Sequence, residues 1–309
     1  REGGNEGLKA YMRPDSPEVA SHEEAPTEVR EAEASAIPEL DRTAKMLIGG
    51  KQVRPDGGHS YPVLTPHGET VGLAALANRK DVRNAVEAAS KSSWSSMNGH
   101  GRAQVLWFIA ENMESRREEF VRLLKAMTGE TEAACNAEFE STVDTWTWWA
   151  SWADKHDGHV HDTPWRGLVL AVYEPFGTAA VVCPNQNPLH AFVALAAPLL
   201  AAGNHVVAIP STQSLAAVEM CRVLEHSDLP AGALNLLTGE RRELAPVLAA
   251  HDGVDLIWSH VDKELTSEIE RLSTGNMKVC WSTSSALDRS PELLDRASQI
   301  KNIWLPHGI

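Results

Sequence analysis

The second half of the chain alternates short apolar segments with longer amphipathic ones, and this alternation limits the possible folds more than any other feature. Five segments are predicted to be strands: "TAAVVC", "HVVAIPS", "ALNLLTG", "VDLIWS" and "NMKVCWS". The segments between them have helical apolar spacing and are predicted to be helices, namely His190–Ala202, Ser214–His226, Arg241–His251 and Lys263–Ser273. Strands that alternate with helices predict parallel βαβ units, and therefore a doubly wound α/β sheet.

Two polar turns follow the first two predicted strands. Ligands of doubly wound sheets bind beyond the carboxyl ends of the strands, and both "CPNQNP" and "IPSTQS" lie there. Pro184 and Pro188 flank three amide side chains in the first turn. These amides are candidates for contact with a substrate or a cofactor, and the sequence leaves open whether they bond to water or to neighbouring backbone instead. Gly203 follows the helix between the two turns, where a left-handed C-cap belongs.

The first half of the chain has a different pattern. Residues 46–77 alternate apolar and polar residues between Gly and Pro turns, which predicts short strands in a meander. Apolar residues then recur at helical spacing, so three helices are predicted between Lys80 and Glu130. A further predicted helix, Ala134–Ala153, carries the run "WTWWASW". We interpret its tryptophans as packing residues, because aromatic stripes at helical spacing usually belong to a core.

The charge of the chain excludes some classes of partner. The net charge of −14 argues against nucleic acid or an anionic membrane as the main partner. Residues 15–42 hold nine acidic residues against two arginines, with three prolines and few large apolar residues, and are predicted to be an acidic flexible linker. No apolar run is long enough to cross a membrane. The chain opens without a secretory signal, and its four cysteines form no CxxC pair, so a cytoplasmic location is expected.

Five segments, in order and spacing, resemble the aldehyde dehydrogenase superfamily. They are "MLIGGKQV", "GRAQVLWFIAENMESRREEFVRLLKAMTGE", "YEPFGTAAVVCPNQNPL", "ALAAPLLAAGNHVVAIPS" and "DLPAGALNLLTG", and the likeness extends over residues 46–285. The resemblance implies a Rossmann-like domain for NAD or NADP and an oligomerisation hairpin at about residues 156–174. It also implies oxidation of an aldehyde on a catalytic cysteine, with an asparagine for the oxyanion, a glutamate as base and a lysine on the cofactor ribose.

The residues at those positions depart from the family pattern. The family's Pro-Trp-Asn turn is Pro184, Asn185 and Gln186 here. Glutamine can donate a hydrogen bond to an oxyanion, but from one methylene further out, and such donors act at fixed distance. The family's Lys-Pro-Ser-Glu block is Ile209, Pro210, Ser211, Thr212 in this chain, and isoleucine cannot bond a ribose hydroxyl.

Further departures affect the pyrophosphate loop and the base. Gly239 is kept, but charged, bulky residues follow it in "GERREL", and "IWSHVDKEL" lacks the family's Thr-Gly-Ser turn. The block that carries the family's base is Ser282–Ala286, and no cysteine follows Cys280. A serine hydroxyl is not a general base near neutral pH. The resemblance therefore implies vestigial positions without a catalytic residue. Cys183 and Cys280 are expected to be structural, because neither has a neighbour in sequence that would activate it.

Two histidines are candidate metal ligands. His159 and His161 would share one face of a strand, but no carboxylate or cysteine completes a ligand set. No metal site is predicted.

The first residues carry a second resemblance. The segment "GGNEGLKAYMRP" resembles the carboxyl-terminal strand of an aldehyde dehydrogenase, which joins the intersubunit sheet. A family tail before a family start implies a tandem protein, with residues 1–14 from a preceding unit, 15–42 as linker and 43–309 as a cofactor-type domain without the catalytic domain. The chain is expected to be a fragment of something longer.

Three functions are consistent with these residues. The first is a non-catalytic scaffold that forms homo-oligomers and holds a catalytic aldehyde dehydrogenase unit of the same polypeptide. The second is a fragment of an active NAD(P)-dependent aldehyde dehydrogenase that converts aldehydes to carboxylic acids. The third is a module that senses NAD(P) without chemistry. If the chain is the non-catalytic scaffold, no cofactor is expected to bind to it.

Overall fold

The chain folds around a mixed β-sheet, which a computed structural model describes over residues 41–164, 166–283 and 289–306. Within these residues seven strands form the main sheet in the order β11–β10–β7–β8–β9–β1–β2. Their bounds are β1 Met46–Ile48, β2 Lys51–Val53, β7 Thr178–Val182, β8 His205–Ile209, β9 Leu234–Leu236, β10 Leu256–Ser259 and β11 Val279–Ser282. Strands β7 to β11 pair in parallel. The predicted doubly wound α/β sheet is confirmed.

The predicted meander is only partly correct. β1 pairs antiparallel with β9 and with β2, so these two strands extend the main sheet. The next two strands, β3 (Ser60–Leu64) and β4 (Thr70–Ala75), form a separate hairpin. The sequence predicted the strands but not this division, because pairing between β1 and β9 joins segments far apart in the chain.

Helices cover both faces of the main sheet. Their bounds are α1 Arg79–Ser90, α2 Gly99–Glu114, α3 Arg117–Thr128, α4 Glu132–Trp152, α5 Pro188–Ala201, α6 Leu215–Glu225, α7 Arg241–Ala249, α8 Lys263–Ser273 and α9 Glu292–Arg296. One core cluster contains residues of α2 to α6 and α9, and the other contains residues of α1, α7 and α8. The predicted helices of both halves are confirmed, with ends that differ by a few residues.

Strand β7 shows why the sheet needs both layers. Ala179 and Val181 belong to one core cluster, whereas Ala180 and Val182 belong to the other. Side chains alternate between the faces of a strand, so a strand that is apolar at every position must be covered on both sides. Each buried valine stabilises the fold by about 1.5–3 kcal/mol relative to an exposed one.

The tryptophans of α4 pack as the sequence indicated. Trp146 and Trp149 are buried, and they lie in the core cluster shared by α2 to α6. Trp148 and Trp152 are partly buried against the same cluster, with ring centroids 6.1 Å apart. The aromatic stripe thus attaches α4 to the domain.

Gly203 ends α5 in the left-handed conformation, with φ of 98°. Its backbone N–H donates to Leu200 O, and the next N–H, of Asn204, donates to Leu199 O. This pair of bonds satisfies carbonyls that the helix end would otherwise leave without donors. The C-cap prediction is confirmed, and the turn sends the chain directly into β8.

A second, three-stranded sheet stands apart from the main one, and we call it the arm sheet. It consists of β5 (His159–His161), β6 (Gly167–Pro175) and β12 (Ser298–Pro306), with β6 in the middle. Strands β5 and β6 pair antiparallel within the predicted hairpin region. β12 pairs with β6 along nine residues, from Ser298 opposite Pro175 to Pro306 opposite Gly167. The sequence analysis missed β12, because the apolar residues of "SQIKNIWLP" do not alternate regularly.

Among the described residues, no helix is long and apolar enough to cross a membrane. The predicted tail strand at 1–14 lies outside the described residues. The predicted linker does as well, apart from its last two positions.

Candidate functional site

The order of the parallel strands creates a crevice at the carboxyl end of the sheet. The chain runs from β7 to β8 and β9 on one side, then returns to place β10 and β11 on the other. Ligands of doubly wound sheets bind where this order reverses, between β7 and β10 here. A cavity of about 380 Å³ lies there, lined by residues 184–186, 240–242 and 260–262 with Leu265. We call the loops that follow these strands the rim.

Asn185 joins two of the rim loops. Its Oδ1 accepts hydrogen bonds from Ser211 Oγ at 3.0 Å, from Thr212 N at 3.2 Å and from Thr212 Oγ1 at 3.2 Å. The amide of the first turn therefore bonds to the two polar residues of the second. Ser211 is 1% exposed, and its Oγ also accepts a hydrogen bond from Gln213 N at 3.1 Å, so this hydroxyl is satisfied within the chain. The sequence left open whether this amide bonds to water or to neighbouring backbone. In the structure Asn185 bonds to the backbone of Thr212 and to two neighbouring hydroxyls.

The start of α5 also has its acceptor within the chain. Asn187 precedes the helix with φ of 47° and makes no side-chain cap. Instead Glu138 of α4 accepts hydrogen bonds from Leu189 N at 2.9 Å and from His190 N at 3.2 Å. Burial raises the pKa of the Glu138 carboxyl, and the two backbone N–H groups act against that rise. Sequence analysis did not identify Glu138, because it lies far from the turn in the chain.

Arg241 bonds to the backbone of the first turn. Its Nη1 donates to Cys183 O at 2.6 Å, and burial lowers the pKa of its guanidinium. This residue begins α7, two positions after Gly239, whose φ is 148°. A Cβ at Gly239 would lie 3.3 Å from Ala77 N. The glycine is thus required by the backbone, whereas the following arginine brings a bulky cation to the crevice.

A carboxylate of the chain occupies the start of α8. Asp262 Oδ1 accepts from Leu265 N at 3.1 Å, and Asp262 Oδ2 pairs with Arg242 Nη2 at 3.1 Å. Arg242 also pairs with Glu264 at 3.2 Å. Hydrogen bonds from the helix backbone lower the pKa of Asp262. A helix N-terminus is a ready anion site, and here its anion is part of the protein.

The remaining sequence-derived positions are spread over the rim. Ile209 is the last residue of β8, and its fully buried side chain belongs to the core cluster of α1, α7 and α8. Ser282 Oγ lies 2.8 Å from Ser259 Oγ, so it bonds to a neighbouring strand. Gln186 is exposed and has no recorded hydrogen bond among the described residues. Pro184 is partly buried beside the cavity. Ser284–Ala286 lie outside the described residues.

His260 brings a buried polar atom to the crevice. It follows β10 and lines the cavity, and its buried Nδ1 has no hydrogen-bond partner among the described residues. Burial lowers the pKa of its imidazole. The neutral ring is therefore favoured at neutral pH, and the sequence analysis did not single it out.

Three of the four cysteines are buried: Cys135, Cys183 and Cys221. Cys183 is fully buried at the end of β7, and burial raises the pKa of its thiol to about 12. Burial also raises the pKa of Cys221 and of Cys135. Cys280 is partly buried in β11, with its Sγ 3.9 Å from Lys278 O. Because the thiolate is the reactive form, a buried thiol such as Cys183 is inert near neutral pH.

The two candidate metal ligands lie on the arm sheet. His159 and His161 are exposed on the same face of β5, and His159 Nε2 lies 3.4 Å from Tyr173 Oη. Across the described part of the chain, no group of three or more His, Cys, Asp or Glu side chains is placed to hold a metal ion.

The rim residues do not fit a dinucleotide in the family's manner. A buried isoleucine stands where a ribose would need a donor, and Ser211 and Thr212 are bonded to Asn185. A pyrophosphate at the start of α8 would meet the carboxylate of Asp262, and like charges repel. The cations that could compensate are already paired, Arg242 with Asp262 and Arg241 with a backbone carbonyl.

Comparison with known proteins gives one family. The model of the aldehyde dehydrogenase family matches residues 53–284. Relatives include betaine aldehyde dehydrogenase of Bacillus subtilis, 28% identical over 75% of this chain and 49% of its own length. Hydroxyisobutyraldehyde dehydrogenase of Mycolicibacterium austroafricanum is 30% identical over 74% of this chain and 46% of its own. The chain thus spans about half the length of these relatives.

Solved structures show the same fold. The crystal structure of betaine aldehyde dehydrogenase from Staphylococcus aureus with NAD+ has a TM-score of 0.75 and 24% identity. It matches over 77% of this chain and 49% of that one. The NAD+ complex of aldehyde dehydrogenase from Bacillus cereus has a TM-score of 0.75 and 23% identity, over 79% and 51%.

Proposed function

The chain belongs to the aldehyde dehydrogenase family, and from this premise we propose that it is a non-catalytic unit that scaffolds and oligomerises a catalytic aldehyde dehydrogenase unit. The observation that carries the proposal is the internal bonding of the rim. Asn185, Arg241 and Asp262 each bond to groups of this chain where the family would hold a cofactor. A site whose polar groups are already satisfied gains little by exchanging them for a ligand.

The arm sheet supports the scaffold half of the proposal. Val160, Leu170 and Ile303 lie opposite one another across the three strands, and Leu305 lies opposite Leu168 in the next row. Val160 is 67% exposed and Leu305 is 46% exposed. Contiguous exposed apolar residues mark interaction surfaces. A catalytic unit that covers this face would remove it from water.

The edges of the arm sheet support strand addition. In the described part of the chain, β12 pairs with β6 and forms one edge of the arm sheet. Such edges accept an extended segment of a partner. We assign the catalytic unit to the same polypeptide, in a tandem protein whose first unit would end in the strand at residues 1–14. Self-association through the same sheet gives a homo-oligomer.

Mutation of the arm sheet tests the scaffold. The double variant Val160→Asp/Leu305→Asp places two charges on the apolar face, and Leu64→Asp/Leu73→Asp is the matched control on the β3–β4 hairpin, where both leucines are 43% exposed. We expect the first variant to lower the mass of the assembly in light scattering and the second to leave it unchanged. Equal masses for both variants and the unaltered chain would refute assembly through the arm sheet.

Cofactor titration tests the non-catalytic half. Energy transfer from the ten tryptophans to bound NADH or NADPH reports binding. We expect no transfer up to about millimolar cofactor, a concentration at which even a weak site fills. Saturation in the micromolar range would show that the chain binds the cofactor and would refute this half of the proposal. Binding without turnover of aldehydes would identify a sensor of NAD(P).

A second candidate function is an active NAD(P)-dependent aldehyde dehydrogenase of which this chain is one part. Gln186 favours it, because its amide is exposed beside the rim cavity and has no recorded partner among the described residues. It could donate to an oxyanion. Aldehyde-dependent formation of NADH or NADPH by the protein that contains this chain, lost with Gln186→Ala, would support this function over the scaffold.

A further inference from the structure

A wide groove lies on the outer surface of α1 and α7, away from both the rim cavity and the arm sheet. It has a volume of about 880 Å³. Three cations of α1, Arg79, Lys80 and Arg83, line one part of it, and Leu272 of α8 closes another. The apolar residues that line it from α7 and its C-cap are Pro246, Val247 and Ala250. The groove thus combines an apolar surface with a cluster of positive charge.

The positions of the cations are unfavourable within α1 itself. Arg79 and Lys80 directly follow the N-cap Asn78, and the N-terminus of a helix favours negative charge. Arg83 lies one turn after Arg79, and like charges at this spacing repel. Asp81 does not offset them, because it is buried and accepts from Asn78 N at 2.9 Å in the capping box.

These cations are also incompletely paired. Lys80 pairs with Asp56, whereas Arg83 has only a 3.6 Å contact with Glu87, in which both side chains are more than half exposed. Arg79 has no recorded ion pair among the described residues. By contrast, Arg117 at the start of α3 pairs with both Glu114 and Glu140. The charge of Arg117 is therefore neutralised by two carboxylates, whereas Arg79 has no ion pair among the described residues.

The apolar residues of the groove are accessible to solvent. Val247, Pro246 and Leu272 are partly buried and Ala250 is exposed, although surface positions of a helix are usually polar. The side chain of His251, which also lines the groove, accepts from Gly253 N at 3.0 Å, and burial lowers its pKa. It adds no positive charge near neutral pH. Asp252 also lines the groove and contributes one negative charge, so the positive charge of the lining comes from the three cations of α1.

We propose that this groove binds an acidic amphipathic helix of a protein partner. A groove bounded by two helices accepts a third helix through an apolar stripe. Carboxylates beside that stripe would meet Arg79 and Arg83, while aliphatic side chains would contact Val247 and Leu272. Electrostatic complementarity selects the partner's sign of charge, and the net charge of −14 disfavours an acidic segment over most of the remaining surface. This inference does not depend on the proposed scaffold function.

The probe for this site is a fluorescent synthetic peptide of about four helical turns, with leucines at i, i+3, i+4 and i+7 and glutamates elsewhere. Its anisotropy is measured against the full chain. We expect saturable binding that weakens with salt and that falls at least about tenfold with Arg79→Glu/Arg83→Glu. The matched control, Lys91→Glu/Arg122→Glu, reverses two exposed cations elsewhere and is expected to bind as the unaltered chain does.

Two more comparisons isolate the apolar contact. Val247→Thr keeps the shape of the side chain and adds a hydroxyl, so it should weaken binding without a change in the circular dichroism spectrum. A peptide of the same composition, scrambled so that its leucines share no face, should bind at least about tenfold more weakly. The proposal is overturned if the designed peptide does not bind at about millimolar concentration, if the scrambled peptide binds equally, or if the Arg79/Arg83 reversal has no effect. The arm-sheet variants provide a separate readout, so failure here leaves the scaffold test unaffected.

Discussion

The rim and the arm sheet are opposites in how their bonding groups are used. At the rim, polar side chains from different loops bond to one another, and Asn185, Glu138 and Asp262 each satisfy donors of another residue. On the arm sheet, large apolar side chains are exposed, and β12 forms one edge of the sheet in the described part of the chain. Bonding capacity, rather than fold, indicates where a partner can act.

The largest expected effect follows from removal of the acceptor at the start of α5. Glu138→Ala leaves two backbone N–H groups of Leu189 and His190 without an acceptor. We expect a loss of about 2–3 kcal/mol in the free energy of unfolding, measured by urea titration. Glu140→Ala, on the same helix, removes only an exposed ion pair with Arg117 and should cost at most about 1 kcal/mol. Equal losses would show that Glu138 does not hold the rim.

A smaller loss is expected from Asn185. Asn185→Ala removes the acceptor of Ser211 Oγ and Thr212 N and should cost about 1–2 kcal/mol by the same measurement. Gln186→Ala, at the adjacent position, should change stability by no more than about 0.5 kcal/mol, because this side chain is exposed. If the two variants behave alike, the rim loops are not joined through Asn185.

Asp262 should contribute about as much as an ordinary helix cap. Asp262→Ala removes the acceptor of Leu265 N and the partner of Arg242, with an expected cost of about 1 kcal/mol. Asp262→Asn keeps the cap without the charge and should recover most of that loss. If Asp262→Ala is as stable as the unaltered chain, the Asp262 side chain does not stabilise the start of α8.

His260 differs from Asn185 and Asp262, because its buried Nδ1 has no hydrogen-bond partner among the described residues. Its effect on the free energy of unfolding should appear only at acidic pH. Burial lowers the pKa of its imidazole below the ordinary value of 6.5. The unfolded chain then binds the proton more readily than the folded one, so stability is full above pH 6.5 and declines as pH falls through the lowered pKa. His260→Gln should flatten this decline in unfolding experiments at a series of pH values. An unchanged pH profile would mean that the ring is not held neutral by the crevice.

The smallest effect on stability is expected from the arm sheet. Val160 is 67% exposed, so Val160→Ser should change the free energy of unfolding by no more than about 0.5 kcal/mol. The same change should still weaken self-association in sedimentation experiments if the apolar face is an interface. A large loss of stability in a monomeric sample would instead show that Val160 belongs to the core.

Sequence was sufficient for the parts of the fold that depend on local pattern. The apolar runs that became β7 and β8, and the helical spacing of α8, identified the doubly wound sheet, and its strand ends located the two polar turns. It was not sufficient for contacts between distant segments. Glu138 reaches α5 from another helix, and β12 joins β6 from the far end of the chain. Such contacts depend on the assembled layers, which no local period encodes.

The pairing of β12 with β6 also affects the order in which the chain can fold. Gly167 pairs with Pro306, so one edge of the β5–β6 hairpin stays without its partner strand until β12 has been synthesised. Contacts between distant segments form slowly because of the loop they must close. During synthesis the β5–β6 hairpin therefore displays a long, apolar and unpaired edge, a feature that favours misassembly of nascent chains. Correct assembly of the arm sheet is therefore expected to depend on chaperone supply.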